Sequence, residues 1–175
     1  MKALIHIGTP KSGTTSIQSF LRLNQQRLIA QGFRCEPFDP TNLAQMELAT
    51  VGVIRAGDTV KEANKRHALG VGDRDTQVAY VNRYEEMLRE GLNKWGEETY
   101  LASGEQVHSW LSSPERITAL DQFLGQFFDE VRYVVYYRPQ EEFMLSTYSE
   151  RIKRGEMISF EHHFNQRLRK MNYWR

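Results

Sequence analysis

The residues best equipped for chemistry come early. The run Gly8-Thr9-Pro10-Lys11-Ser12-Gly13-Thr14-Thr15 sets a lysine and several hydroxyls beside two glycines. Where such a turn opens a helix, the free N–H groups of the first helical turn point outward and the helix dipole adds partial positive charge. Together they hold an anion such as a phosphate. Gly13 lets the backbone approach that anion closely. Lys11 adds a full charge, and Ser12, Thr14 and Thr15 add hydroxyl donors. The triphosphate-binding pattern G-x4-G-K-[ST] requires a lysine directly after the second glycine, and this chain has Thr14 there. With the lysine moved to Lys11, the helix-borne lysine of ATPases and GTPases is displaced.

These groups need a strand before them and a helix after them, and the pattern provides both. Ala3 to Ile7 reads as a buried strand, broken only by His6, which is expected as a core histidine. From about Thr15 the apolar residues Ile17, Phe20, Leu21, Leu23 and Leu28 recur at helical spacing, and Gly32 is the expected stop. The stretch from Glu36 to Asp73 mixes prolines, glycines and polar residues, and no assignment is made there. Val78, Val81, Tyr84, Met87, Leu88 and Leu92 trace the apolar stripe of an amphipathic helix over Arg74 to Lys94.

A strand is expected at Thr99–Ala102, running into Ser103-Gly104-Glu105. Ser113 and Pro114 read as the cap and first residue of a helix reaching about Phe128. Val131 to Tyr137, dense in β-branched and aromatic residues, reads as a central strand ending at Arg138-Pro139, with a helix to about Lys153 after it. Ser159 to Arg175 reads as a last, basic helix. Strands alternating with helices imply an α/β fold: three layers, α/β/α, around a central parallel sheet.

The bulk numbers agree with one folded domain over the 175 residues, at 40% hydrophobic and 26% charged. A net charge of +1 gives no global field for nucleic acid or membrane, yet residues 1–35 hold five Lys/Arg and no Asp/Glu, which suits an anionic ligand. The single cysteine, Cys35, makes no internal disulfide and no cysteine-rich zinc site, so a cytoplasmic address is expected. No apolar run approaches the roughly 18–20 residues of a membrane span, and no signal peptide is read.

The string Thr9 to Gln18, T-P-K-S-G-T-T-x-x-Q, closely resembles the 5′-phosphosulfate-binding loop of sulfotransferases that use 3′-phosphoadenosine 5′-phosphosulfate (PAPS). The resemblance covers Ala3 to Gln18 and Val131 to Gly155, and between them only the layout matches. It implies a P-loop type nucleotide-binding fold with Pro10, Lys11, Ser12, Gly13, Thr14 and Thr15 on the phosphosulfate. It also implies that an Arg at a strand end and a Ser eight positions on, here Arg138 and Ser146, bind the 3′-phosphate. Eight residues span about two helical turns, so Arg138 and Ser146 can address one phosphate. In the family layout the base lies just past a strand tip near the sulfate, which matches Glu105, with Lys11 stabilising the leaving phosphate. His108 is the second candidate, its ordinary pKa of about 6.5 suiting proton transfer.

PAPS is thus the expected co-substrate, with no metal. His162-His163 lack the cysteines or clustered carboxylates of a metal site. The acceptor is expected to be a small molecule, a carbohydrate or a lipid-linked sugar. The basic residues Arg151, Lys153, Arg154, Arg167, Arg169 and Lys170 either bind an acidic acceptor or form a solvated face. Two alternatives stay open: a nucleotide kinase or other phosphotransferase, and a non-catalytic nucleotide-binding fragment. The second arises because the family's further glycine-containing basic loop is not found, so the chain is expected either to stop before the fold does or to be a shorter variant.

Overall fold

The alternation of short apolar runs with helical periodicity is realised as helices around a small parallel sheet. The computed structural model describes residues 1–39, 42–96 and 98–168. In chain order the elements are β1 (Lys2–His6), α1 (Thr14–Leu23), α2 (Gln25–Ile29), β2 (Phe33–Arg34), α3 (Met46–Arg55), α4 (Ala63–Leu69), α5 (Arg74–Trp95), β3 (Thr99–Ser103), α6 (Gln106–Trp110), α7 (Pro114–Leu124), β4 (Glu130–Val134), α8 (Gln140–Lys153) and α9 (Phe160–Leu168). The four strands are all parallel in the order β2-β3-β1-β4, with Leu4 opposite both Leu101 and Arg132. The α/β class and the parallel sheet expected from the sequence are therefore present. Among the described residues no helix is long and apolar enough to cross a membrane.

Residues Met1–Val135 form one compact unit and Tyr136–Arg175 a second. The core of the first lies between the sheet and α3, α5 and α7. Along α5 Val81, Tyr84 and Leu88 of the expected stripe are buried and Val78, Met87 and Leu92 half-buried, while Tyr80, outside that stripe, is buried as well. Tyr100 of β3 is sandwiched between Trp95, 5.7 Å away, and Phe128, 5.4 Å away, in near-parallel stacks. Each such pair adds about 0.5–1.5 kcal/mol beyond the area it buries. Asp73 caps α5 by accepting from the Thr76 amide, and Ser113 caps α7 by accepting from the Arg116 amide.

Several expectations need correction. The first helix does not run unbroken to Gly32. It stops at Asn24, whose side-chain amide and backbone N–H both donate to the Phe20 carbonyl, the competition with the helix ladder that asparagine supplies. Its apolar stripe is not fully buried either, since Phe20 and Leu23 are exposed. The stretch without an assignment contains β2, α3 and α4. Met46 to Ile54 of α3 are all buried, so no polar face marks the helix in the sequence. The helix opened by Ser113 ends at Leu124, and Phe127 and Phe128 reach the core from the turn beyond it.

The largest correction concerns β4. It is not a central strand: among the described residues it lies at the sheet edge, it ends at Val134, and Arg132 and Tyr133 are exposed. β-Branched and aromatic residues fit any pleated strand and do not distinguish the middle of a sheet from its margin.

In the second unit α8 and α9 meet at a fully buried His163. The Thr147 hydroxyl sits 3.0 Å from both the Met144 carbonyl and His163 Nε2. If it donates to the carbonyl, His163 Nε2 carries the proton and Nδ1 accepts from Arg151. Burial, then the charges of Arg167 and Arg151, lower the His163 pKa, which favours this neutral form.

Candidate functional site

The glycine run lies between the carboxyl end of β1 and the start of α1, as expected, and its conformation follows from its composition. Gly8 and Gly13 take φ of 106° and 88°, backbone that glycine reaches at no steric cost. Lys11 also has a positive φ, 66°, uncommon for a residue with a side chain. Ser12 folds back onto the Thr9 carbonyl through both its amide and its hydroxyl, at 3.3 and 2.5 Å, which closes the turn. Gly13 is the N-cap of α1 and offers no side chain to its amides, and the first turn carries no acid. The leading N–H groups of α1 therefore keep their partial positive charge for an incoming anion.

β3 brings an acid to this turn. The Gly104 amide donates to the His6 carbonyl at 3.0 Å, which carries the β1–β3 pairing one step past the strand tips. Glu105 follows, and the Thr14 hydroxyl donates to its carboxylate. Its backbone lies so close to Gly8 that a Cβ there would come within 3.4 Å of the Glu105 Cα. The glycine turn and the strand-tip acid singled out in the sequence are thus in direct contact. Thr14 has one O–H to give. An anion that takes it would leave the Glu105 carboxylate without this donor.

His108, the other candidate base, is exposed on α6 and has no hydrogen bond to the turn among the described residues. The protein mass around it lowers its pKa. His6 is buried between the strands, as expected, with Nδ1 2.8 Å from the Ser103 hydroxyl. Burial lowers its pKa, against the opposing pull of Glu105.

Arg138 and Ser146 belong to the second unit. Arg138 does not stand at a strand tip, because β4 has ended at Val134 and the Val135–Tyr137 segment intervenes. It precedes Pro139, the N-cap of α8, and its Nε lies 3.1 Å from the Glu142 carboxylate. Glu142 and Ser146 are four residues apart and share one face of α8, so arginine, carboxylate and hydroxyl line up along it. Of the basic residues in this unit, Arg151 pairs with Glu156 and Arg154 with Glu150. Arg169 and Lys170 lie outside the described residues.

Sequence reasoning missed two residues behind the strand tip, both in the stretch without a motif. Gln45 clamps Ser103: its side-chain oxygen accepts from the Ser103 amide at 2.7 Å, and its backbone N–H donates to the Ser103 carbonyl at 2.9 Å. Gly104 must be glycine, because a Cβ there would fall 2.5 Å from the Gln45 carbonyl oxygen. Two residues on, Glu47 is 2% exposed, and one of its carboxyl oxygens has no hydrogen-bond partner. Burial pushes its pKa up to about 8, so it is mostly protonated at neutral pH. Among the described residues no three His, Cys, Asp or Glu side chains gather in a metal-binding group.

In comparisons with known proteins, no family model, no curated protein and no solved structure matches the chain.

Proposed function

We propose that the chain is a PAPS-dependent sulfotransferase, built on a three-layer nucleotide-binding fold of the P-loop type. The observation that carries this reading is the contact between the anion-ready turn at α1 and Glu105, made through the Thr14 hydroxyl. Ligands of open parallel sheets sit at the carboxyl ends of the strands, which is where this contact lies. The T-P-K-S-G-T-T string supports a phosphosulfate over a triphosphate, since Thr14 occupies the position where a triphosphate loop needs lysine.

In the proposed reaction the acceptor oxygen or nitrogen attacks sulfur in line while Glu105 takes its proton. The bond between sulfur and the bridging phosphate oxygen breaks, and the electron pair stays on the phosphate. The ammonium of Lys11 and the leading amides of α1 hold that growing charge. The products are the sulfated acceptor and 3′-phosphoadenosine 5′-phosphate (PAP). Arg138 and Ser146 are assigned to the 3′-phosphate on the sequence resemblance alone. The single cysteine, Cys35, supports a cytoplasmic setting.

The test is turnover. The chain incubated with PAPS and a panel of carbohydrate and small-alcohol acceptors is expected to release PAP in step with a sulfated product. Release of phosphate from ATP under the same conditions, with none of PAP from PAPS, contradicts the proposal.

A further inference from the structure

The first unit holds a concave site one turn of α6 from Glu105. It is a cavity of about 230 Å³, lined by α3, the 59–62 segment, α4, α6 and the start of α7. Its charged lining is unequal: Lys61, Lys65 and Arg116 face a single carboxylate, Glu62. Two of the cations are held in place. The Lys65 ammonium lies 2.6 Å from Glu62 and 5.0 Å above the ring of Trp110. The Arg116 guanidinium lies 2.9 Å from Asp58 and donates to the Trp110 carbonyl at 2.9 Å. Lys61 has no carboxylate in ion-pair range among the described residues, so one positive charge at the rim is uncompensated. Thr59, Ser109 and Ser112 add hydroxyls to the wall.

Lys65 and Arg116 are positioned but already paired with carboxylates, so the charge offered to an acid is chiefly that of Lys61, and the neutral hydroxyls of the wall suit a polyol. The volume falls below the roughly 300–1,000 Å³ of pockets for drug-sized ligands, which limits the occupant to about one ring. Ser109 of the wall stands one turn of α6 after Glu105, its hydroxyl 3.5 Å from the backbone carbonyls of both Glu105 and Gln106, so the cavity lies one helical turn from the strand-tip acid. We infer that this cavity binds the acidic unit of the acceptor: a hydroxylated ring of monosaccharide size carrying a carboxylate or a sulfate or phosphate ester. The cavity's preference for acids stands by itself, while its role as an acceptor subsite rests on the sulfuryl-transfer reading.

Calorimetric titration of the full chain with glucuronate, glucose 6-phosphate and glucose tests the inference, with PAP titrated in parallel. At least one acid is expected to bind with a millimolar dissociation constant and glucose about tenfold or more weaker. The tighter acid identifies a carboxylate or an ester. Lys61→Glu, a change at an exposed side chain, is expected to weaken the acid more than about fivefold while the PAP titration stays the same. Glucose binding as tightly as both acids, no saturable binding of either acid, or an acid affinity untouched by Lys61→Glu overturns the inference. Acid binding that responds to Lys61→Glu in a chain that binds no PAP supports the cavity as an acid site and overturns its role as acceptor subsite.

Discussion

The turn between β1 and α1 and the Arg138 segment before α8 are both proposed to bind phosphate, but they are built in different ways. The turn is made of backbone: two glycines at positive φ, an amide-bearing helix start, and a strand partner in register that delivers Glu105. The Arg138 segment is made of side chains, and its arginine already contacts the carboxylate of Glu142. Backbone amides held by a fold need no rearrangement when an anion arrives, whereas an arginine in an exposed ion pair must exchange one partner for another. The contrast predicts that the turn carries the larger share of nucleotide affinity and of the chemistry.

Substitutions can break or sharpen that contrast, and the largest effect is expected at Glu105. Glu105→Gln keeps a partner for Thr14 but cannot take a proton, so turnover should fall by about 10²–10⁴-fold with PAP affinity nearly unchanged. Equal losses in rate and affinity would make the residue a structural prop of the turn. Next comes Glu47, buried behind the same strand tip. Its folded pKa of about 8 lies above that of an unfolded chain, so its contribution to stability is full below about pH 4.5 and is lost as pH rises through 8. Glu47→Gln removes this loss. Thermal melts should show the variant gaining on the wild type from pH 5 to pH 8, by roughly a few kcal/mol at the upper end. A constant difference across that range would mean that Glu47 stays ionised.

The smallest effects belong to the second region. Arg138→Ala should weaken PAP about tenfold and leave adenosine 5′-phosphosulfate, which lacks the 3′-phosphate, unaffected. Glu142→Gln should strengthen PAP a few-fold by removing the competing carboxylate, an exposed pair being worth about 0–1 kcal/mol. If Glu142→Gln weakens PAP instead, the carboxylate positions the arginine and the proposed competition is wrong.

How far the sequence revealed each region follows the same division. The turn was legible because glycines, a preceding apolar strand and a following amphipathic helix are local signals, and Glu105 because the family layout that the chain resembles has its base directly beyond a strand tip. Its contact with Thr14 depends on the parallel register of β1 with β3, which no local pattern encodes. α3 was invisible for a physical reason: a helix buried from Met46 to Ile54 has no polar face, so the period that reveals helices is missing, and Gln45 and Glu47 were hidden with it. β4 was recognised as a strand but misplaced at the centre, because composition reports pleat and not neighbours. Asn24 shows the reverse case, one polar side chain ending a helix whose apolar spacing ran on.

The central claim is that the turn binds a phosphosulfate-type anion through Lys11 and the leading amides of α1. Calorimetric titration of the wild type and Lys11→Ala with PAP and with ATP tests it most directly. PAP is expected to bind at least about tenfold more tightly than ATP, and Lys11→Ala to remove most of that affinity. ATP binding equal to or tighter than PAP, or a PAP affinity unchanged in Lys11→Ala, would contradict it.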